Sequence, residues 1–477
     1  MKMAATKAGW SREALDAVAL RICNPAGIQG ALVAGRAADR WAVRDLVHRA
    51  LALEGLSPAE AAVLVQVDDP ALREEIKAAA RQVHRKLWGK RVRLHAPICP
   101  TNRCVQDCLY CPLRRSNAGL KRRAATPRDL QREIAGSLDE GHRHVLLVFG
   151  DDRSGVQYVR DMVWAAYGVR SGMRQIQRVD INLDPLRVVD LQELREAPIG
   201  TVHVFQETYH PGAYAALHPG GMKADYAWRI TGHDRAFEAG IDSVGIGLLL
   251  GSYDHRFDVV AVLGHARYLA ETYDRTPHTI TYARMLPAAG APLSQEPERR
   301  VSAEDFTFVV AVTRLAVPHT GIVMCTPASS EVRRELYGLG VSQASVGSLS
   351  YPGVYTADGQ LEAGGQLTIG RPRALEEVVH RMCEVGFMPN FCTACFAQRR
   401  QVGGPDQTDS ETRVQDRCAA NALLGLREYL TDYASPETQR VGERLIQGEL
   451  AQLPESVRNI TFEYMREAEA GLRGQML

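Results

Sequence analysis

The sequence shows almost no excess of charge: 57 Lys and Arg stand against 56 Asp and Glu, a net of +1. Such a balance offers no charge-driven surface for nucleic acid or for an acidic membrane. No uninterrupted apolar run reaches the ~18 residues of a membrane span. Met1 to Trp10 lacks the apolar core of an export signal. There is no internal repeat and no low-complexity segment. Cysteine is scarce as well, ten in 477 residues, which does not read as the disulfide scaffold of a secreted domain. What remains is a globular cytoplasmic chain, 45% hydrophobic, long enough for two or three domains with an ample core.

The few cysteines are placed unevenly. Cys104-Val105-Gln106-Asp107-Cys108-Leu109-Tyr110-Cys111 sets three of them at C-x3-C-x2-C, a spacing that chance gives a chain of this composition roughly once in several hundred. Zinc prefers four closed ligands, often as two C-x2-C pairs, and this triad lacks the fourth. A cubane [4Fe–4S] cluster held by three thiolates keeps one iron open. The array, with Tyr110 between its last two cysteines, resembles the signature of the radical S-adenosylmethionine (SAM) enzymes. The resemblance implies that the open iron chelates SAM and that an electron from the cluster breaks a C–S bond to give a 5′-deoxyadenosyl radical. The cofactors supply that chemistry while the protein holds and shields them. A reducing donor such as ferredoxin or flavodoxin is then a necessary partner.

Residues 1–87 read as a helical extension. Ser57-Pro58-Ala59-Glu60 spells a helix start, and the basic stretch from Arg85 to Arg93 reads as a solvated face. From residue 88 to 350 the pattern alternates. Strands are expected at 92–98, 144–150, 179–183, 201–206, 243–250, 279–285, 321–326 and 343–346, with helices at 127–140, 158–168, 224–239, 259–273 and 303–316. Eight strands separated by helices imply parallel βα units and an α/β fold, the (β/α)8 TIM barrel. The cysteine loop follows the first strand and so falls on the C-terminal face, where barrel chemistry sits. A polar, Gly-rich loop or lid is expected at 351–371. A C-terminal helical domain follows within 351–477, with helices at 375–385, 413–430, 435–453 and 456–472.

A second array, Cys392-Thr393-Ala394-Cys395 with Cys418, again offers three cysteines. Zinc with a distant fourth ligand such as Cys383, or structural thiols, are the alternatives. With Phe391 and Phe396 around it, the array resembles the auxiliary-cluster motif of HydG, the tyrosine lyase of [FeFe]-hydrogenase maturation. Phe205-Gln206-Glu207-Thr208-Tyr209-His210, Leu217-His218-Pro219, Pro277-His278-Thr279-Ile280 and Gly340-Val341-Ser342-Gln343 are also similar to that family.

The resemblance implies a carbon–carbon lyase that cleaves the tyrosine Cα–Cβ bond to p-cresol and dehydroglycine. CO and cyanide from dehydroglycine then assemble on an extra iron at the second [4Fe–4S] cluster. It implies Cys104, Cys108, Cys111, Cys392, Cys395 and Cys418 as cluster ligands and His265 as the ligand of the extra iron. Tyr110, Gly150, Asp151, Asp180, Asn182 and Arg229 are implied around SAM, and Glu207 and Ser342 beside the substrate. Other metallocofactor maturases are implied partners.

Three features depart from the family. Cys325-Thr326-Pro327 stands where the family has Ser-Thr-Arg, whose arginine holds the substrate carboxylate, and proline cannot pair with a carboxylate. Arg333, Arg334 or another cation would have to substitute. Gly-Asp at 150–151 replaces Gly-Glu, and the run from Ala397 to Gly404 differs. These changes raise a divergent lyase for another amino acid or small molecule as the alternative. A non-enzymatic iron–sulfur scaffold or carrier is the third reading.

Overall fold

The computed structural model describes residues 9–152, 154–172, 174–325, 328–347, 374–396 and 411–477. Five helices open the chain, from Arg12–Ile22 to Pro70–Trp88. Their N-caps are Ser11, Asn24, Asp39, Ser57 and Asp69, each accepting a backbone N–H of the first turn. Ser57 and Glu60 close the reciprocal capping box that the sequence spells. The stretch Arg12–Gly35 passes the length and composition of a membrane span, with a mean hydropathy of 1.3, which a search for unbroken apolar runs overlooks. Asn24 and Pro25 divide it into two helices of 11 residues, each about 16 Å long, half the thickness of a bilayer core.

The strands are β1 (Arg91–Thr101), β2 (His144–Phe149), β3 (Arg178–Asn182), β4 (Ile199–His203), β5 (Val244–Leu250), β6 (Thr279–Arg284), β7 (Gly321–Met324) and β8 (Gln343–Ser345). All pair in parallel in sequence order, and β1 pairs with both β2 and β8. The eight strands therefore close into the (β/α)8 barrel. A ninth strand that the sequence did not announce, β9 (Met388–Asn390), adds in parallel to the lower part of β1 at Arg91–Arg93. Beyond it, helices Glu411–Asp432, Pro436–Leu450 and Glu455–Glu469 form the tail. One buried core runs from Leu15 through the barrel to Met465. The expected lid at 351–371 lies outside the described residues.

Period-2 alternation decides what fills the lumen. β5 turns glycine inward because its neighbour does not. A Cβ on Gly245 would sit 2.1 Å from His203 Nδ1, and one on Gly247 2.5 Å from Phe205 Cδ1. The β5 glycines thus make room for large side chains from β4.

Candidate active site in the barrel

β1 ends at Thr101 and delivers the first cysteine array to the C-terminal face. Its loop is tightly held. Asn102 Oδ1 accepts from Arg123 N at 2.6 Å and its Nδ2 donates to Lys121 O at 2.9 Å. Arg122 donates to the carbonyls of Asn102, Leu113 and Arg114. Asp107, inside the array, accepts from Arg114 Nε at 2.8 Å and from Ser116 N and Oγ. Arg114 and these bonds draw its carboxyl down to about 2. Among the described residues no disulfide joins Cys104, Cys108 or Cys111. Burial pushes Cys104 up to about 11 and Cys111 up to about 12, so displacement of their protons falls to a bound metal.

The array opens onto a cavity of about 280 Å³ inside the barrel mouth. Tyr110, Gly150, Asp151, Asp180, Asn182, Glu207 and Arg229 all line it with the three cysteines. Gly150 is required, since a Cβ there would stand 2.4 Å from Arg103 O, and the end of β2 presses directly on the cysteine loop. Asp151 O accepts from Val105 N at 2.7 Å, and its carboxylate accepts from Gln106 Nε2 at 2.6 Å. Tyr110 donates to His218 Nε2 at 3.1 Å, because His218 Nδ1 is turned to Tyr214 O at 2.8 Å. Asn182 Nδ2 is buried and has no partner among the described residues, so it is available to a polar ligand.

Glu207 reaches the cavity through a local distortion. Gln206 N and Glu207 N both point at Gly247 O, at 3.1 and 3.3 Å, two residues against one as in a bulge. Glu207 itself adopts φ +70°, a strained left-handed conformation for a side chain of this size. The outcome is a carboxylate aimed at Lys223, whose Nζ donates to Glu207 Oε1 at 2.9 Å. Sequence reading did not single out Lys223, nor Gln106 and Asp184, which tie Asp151 to Arg229. Gln106 Nε2 donates to Asp184 at 2.9 Å, and Arg229 Nη1 donates to the other Asp184 oxygen. Only the fold brings the bonded pairs of Gln106, Asp151, Asp184 and Arg229, each more than forty positions apart, together.

The second array lies at the opposite end. β9 leads into Cys392, whose N–H donates to Asn390 Oδ1 at 2.9 Å, and β9 pairs with the start of β1. Asn390 is level with Arg93 and the first array follows Thr101, so the eight steps of β1 between them span roughly 26 Å of strand. Cys418 and Cys395 are hydrogen-bonded to each other, the chief cause of a strong upward push on Cys418. Burial holds Arg91 and Arg93 below their ordinary range, against the pull of Cys418 and Cys392 on Arg91 and of Cys395 and Cys392 on Arg93. Among the described residues no three His, Cys, Asp or Glu side chains converge on a single metal ion. Thiolates at the corners of a cubane each bind their own iron and have no such need.

A model of the radical SAM superfamily matches residues 98–263. A second, of the Biotin and Thiamin Synthesis associated domain, matches residues 282–388. 2-Iminoacetate synthase of Salmonella typhimurium is 30% identical over 315 residues, 65% of this chain and 81% of that protein. A crystal structure of HydG, a maturase of the [FeFe]-hydrogenase, superposes with a TM-score of 0.91 at 33% identity, covering 96% of this chain and 100% of the other. HydG of Carboxydothermus hydrogenoformans superposes at 0.81 with 29% identity, covering 94% and 99%. The chain belongs to the radical SAM superfamily, in the branch that holds 2-iminoacetate synthase and HydG.

A radical SAM enzyme takes a [4Fe–4S] cluster and SAM, and the upper array fits that demand with three reduced thiols on a fixed loop facing a cavity. Other expected residues fall elsewhere. Ser342 does not line the cavity: its Oγ accepts from Ile322 N at 3.1 Å between β7 and β8. The inward residues of β8 are Gln343 and Ser345, one step out of phase with Ser342. Asp180 does face inward, but its carboxylate is taken up by Arg178 Nε at 2.8 Å, His144 Nε2 at 2.9 Å and Thr201 N at 2.8 Å, one layer below Asn182.

His265 is packed in helix His255–Tyr273, with Tyr209 OH 2.7 Å from its Nδ1 and the His233 ring against it. Burial, and then His233, hold it well below its ordinary range. A different histidine occupies the lower lumen. His278 precedes β6, has an unpartnered buried Nε2, and is held well below its ordinary range by burial and then by Arg178 and Arg93. Cys383 shifts through burial alone and joins no cysteine array. Thr326, Pro327 and 397–404 lie outside the described residues. Arg333 donates to Ala328 O, and Arg334 lines an outer groove. Neither reaches the cavity, whereas Arg284, at the upper end of β6, does.

Proposed function

We propose that this radical SAM enzyme is a carbon–carbon lyase for a tyrosine-like amino acid, releasing p-cresol and dehydroglycine at the upper array and making CO and cyanide at the lower one. The observation that carries this reading is the placement of two three-cysteine arrays at opposite ends of one closed barrel. The Salmonella 2-iminoacetate synthase matches 65% of this chain, whereas the HydG likeness covers 96%; that wider reach supports a second step beyond the imine. When bound, the upper cluster and SAM supply a carbon-centred radical that removes hydrogen from the substrate amino group.

The chain's own groups set the rest. Asn182 and Asp151 offer polar contacts for SAM. Leu249, Met285, Leu286 and Val323 form an apolar wall that suits an aromatic ring and keeps water from a radical. Arg284 stands beside that wall with a guanidinium fork suited to a substrate carboxylate, in place of the cation that Pro327 cannot provide. At the lower array Cys392, Cys395 and Cys418 would hold the second cluster, and His278, rather than His265, offers an imidazole nitrogen to an extra iron. The ten thiols and the electron demand suit a reducing cytoplasm and a ferredoxin or flavodoxin donor.

Anaerobically reconstituted protein, given SAM, dithionite and tyrosine, is expected to release p-cresol in step with deoxyadenosine. Deoxyadenosine without p-cresol, stimulated by another amino acid, would establish the alternative substrate.

A further inference from the structure

The inward face of β1 descends in steps of two: Pro97 and His95 line the upper cavity, and Arg93 is the next inward residue below. Arg93 stands between the two arrays, level with Gln343 of β8 and Asn390 of β9. Its Nε is buried without a partner, and among the described residues its guanidinium forms no hydrogen bond and no ion pair. The nearest acid, Asp180, is already committed to Arg178, His144 and the backbone of Thr201. Arg178 is committed in turn, through Nε to Asp180 and Nη2 to Thr201 Oγ1 at 2.7 Å. Arg93 is therefore, among the described residues, a cation of the lower lumen with donors to spare.

It is not the only orphan there. His95 Nδ1, His203 Nδ1, His278 Nε2 and Thr279 Oγ1 are also buried and unpartnered. Native proteins leave few such atoms without water, ion or ligand, and this group is concentrated in the lower barrel, where His95 and His203 line the floor of the cavity. A buried guanidinium stays charged and is costly unless something answers its charge. Only the thiolate forms of Cys395 and Cys392 would answer part of it. The planar fork remains able to take a carboxylate in two parallel bonds.

We propose that Arg93 is a way-station that binds the carboxylate of a small two-carbon acid in the barrel lumen, between the site where it is made and the array where it is consumed. The inference rests on the lyase reading above, since that reaction supplies dehydroglycine at the upper end. Arg93 then shortens the residence of a hydrolysable imine in free solution. It is a binding residue of the passage and touches neither SAM nor the upper cysteines.

Oxamate, an unreactive planar two-carbon carboxylate that, like the imine, carries nitrogen on its second carbon, is the probe. Isothermal titration of the reconstituted protein is expected to show saturable oxamate binding, weakened about tenfold or more in Arg93→Gln, as loss of a charged hydrogen-bond partner implies, and only partly in Arg93→Lys, which keeps the charge without the fork. In turnover, Arg93→Gln should keep p-cresol output, lower CO per p-cresol severalfold and release the difference as glyoxylate. Lower-cluster iron and its electron paramagnetic resonance signal should stay unchanged. Absence of saturable oxamate binding to the wild type overturns the proposal, as does an unchanged CO-to-p-cresol ratio. Loss of the lower cluster in both Arg93 variants also overturns it, making Arg93 a counter-charge only. A wild-type enzyme that makes no p-cresol refutes the lyase reading instead, and oxamate binding then still reports on Arg93.

Discussion

Glu207 and Lys223 form a buried ion pair, 2.9 Å from Oε1 to Nζ, on the rim of the cavity that holds the first cysteine array. Both side chains are nearly enclosed, at 13% and 10% exposure. Burial and Arg229 pull the Lys223 ammonium down, but Glu207, Cys108 and Asp184 outweigh them and hold it above its ordinary range. A pair of this kind adds little net stability, yet breaking it is costly, because the remaining charge is left buried. Lys223→Met is expected to destabilise the fold by roughly 3–5 kcal/mol, and Glu207→Gln with Lys223→Met to recover most of that loss. Denaturant titration of the two single variants and the double variant measures the coupling. Additive losses would mean that the pair does not act as a unit.

The same pair shows where sequence reading stops. The eight barrel strands were legible because each is a β-rich run bounded by a helical pattern, and every observed strand begins within two residues of its expected start. The upper array was legible because its ligands share one loop. Glu207 was visible as part of a motif, but Lys223, 16 residues on, had no periodicity to mark it as inward-facing. β9 was missed because three residues cannot display a period. Ser342, expected beside the substrate, stands one residue before the cavity-lining Gln343, and side chains alternate faces along a strand. His265 lies on a helix buried on most sides, and sequence spacing does not distinguish the barrel lumen from the shell between helices and strands.

The two arrays should separate by substitution. Cys108→Ala removes a ligand of the upper cluster and is expected to abolish deoxyadenosine formation. Cys395→Ala lies at the far end of β1 and should leave SAM cleavage and p-cresol intact while ending CO and cyanide release. Product chromatography and a haem-based CO trap read both halves. Loss of SAM cleavage in Cys395→Ala would show that the ends are not independent.

Arg284 is expected to set the affinity for the amino-acid substrate. Arg284→Met should raise the KM for tyrosine by roughly ten- to a hundredfold, the loss of a charge-assisted carboxylate contact. Substrate-free SAM cleavage should persist. Arg333→Met and Arg334→Met should leave KM unchanged, since Arg333 is bonded to Ala328 O and Arg334 faces an outer groove. Steady-state p-cresol assays of the three variants decide between them. A KM that moves only with Arg333 or Arg334 would reassign the carboxylate site.

His278 and His265 make a paired comparison. Both carry a buried Nε2 without a partner among the described residues, but His278 is flanked by Arg178 and by Arg93, which neighbours the lower cysteines. His278→Ala is expected to lower the iron bound per chain by one atom's worth and to cut CO output while p-cresol continues. His265→Ala should leave iron content unchanged and cost stability instead, by about 1–3 kcal/mol, because Tyr209 OH loses its partner in a dry interior. Metal analysis alongside thermal denaturation separates the two effects.

Asp258 links the barrel mouth to pH. Its Oδ1 accepts from Tyr209 N at 2.7 Å and from Thr208 Oγ1 at 2.9 Å, fixing the turn that follows the strained Glu207. Burial, working against those two bonds, raises its carboxyl to about 7. Below about pH 4, the ordinary aspartate value, folded and unfolded chains both hold the proton and the group contributes no pH dependence. Between there and about 7 the unfolded chain gives it up while the folded chain keeps it, so this group makes stability fall as pH rises. Above about 7 both are ionised and the loss is complete. Asp258→Asn keeps an acceptor at Oδ1 without a titrating proton. The stability of the wild type relative to Asp258→Asn should therefore decline from pH 4 to pH 7, by up to roughly 4 kcal/mol, and level off above. Denaturant midpoints taken across that range for both proteins test the sign directly. A wild type that gains on the variant with rising pH would show instead that the Asp258 carboxylate is held in its charged form.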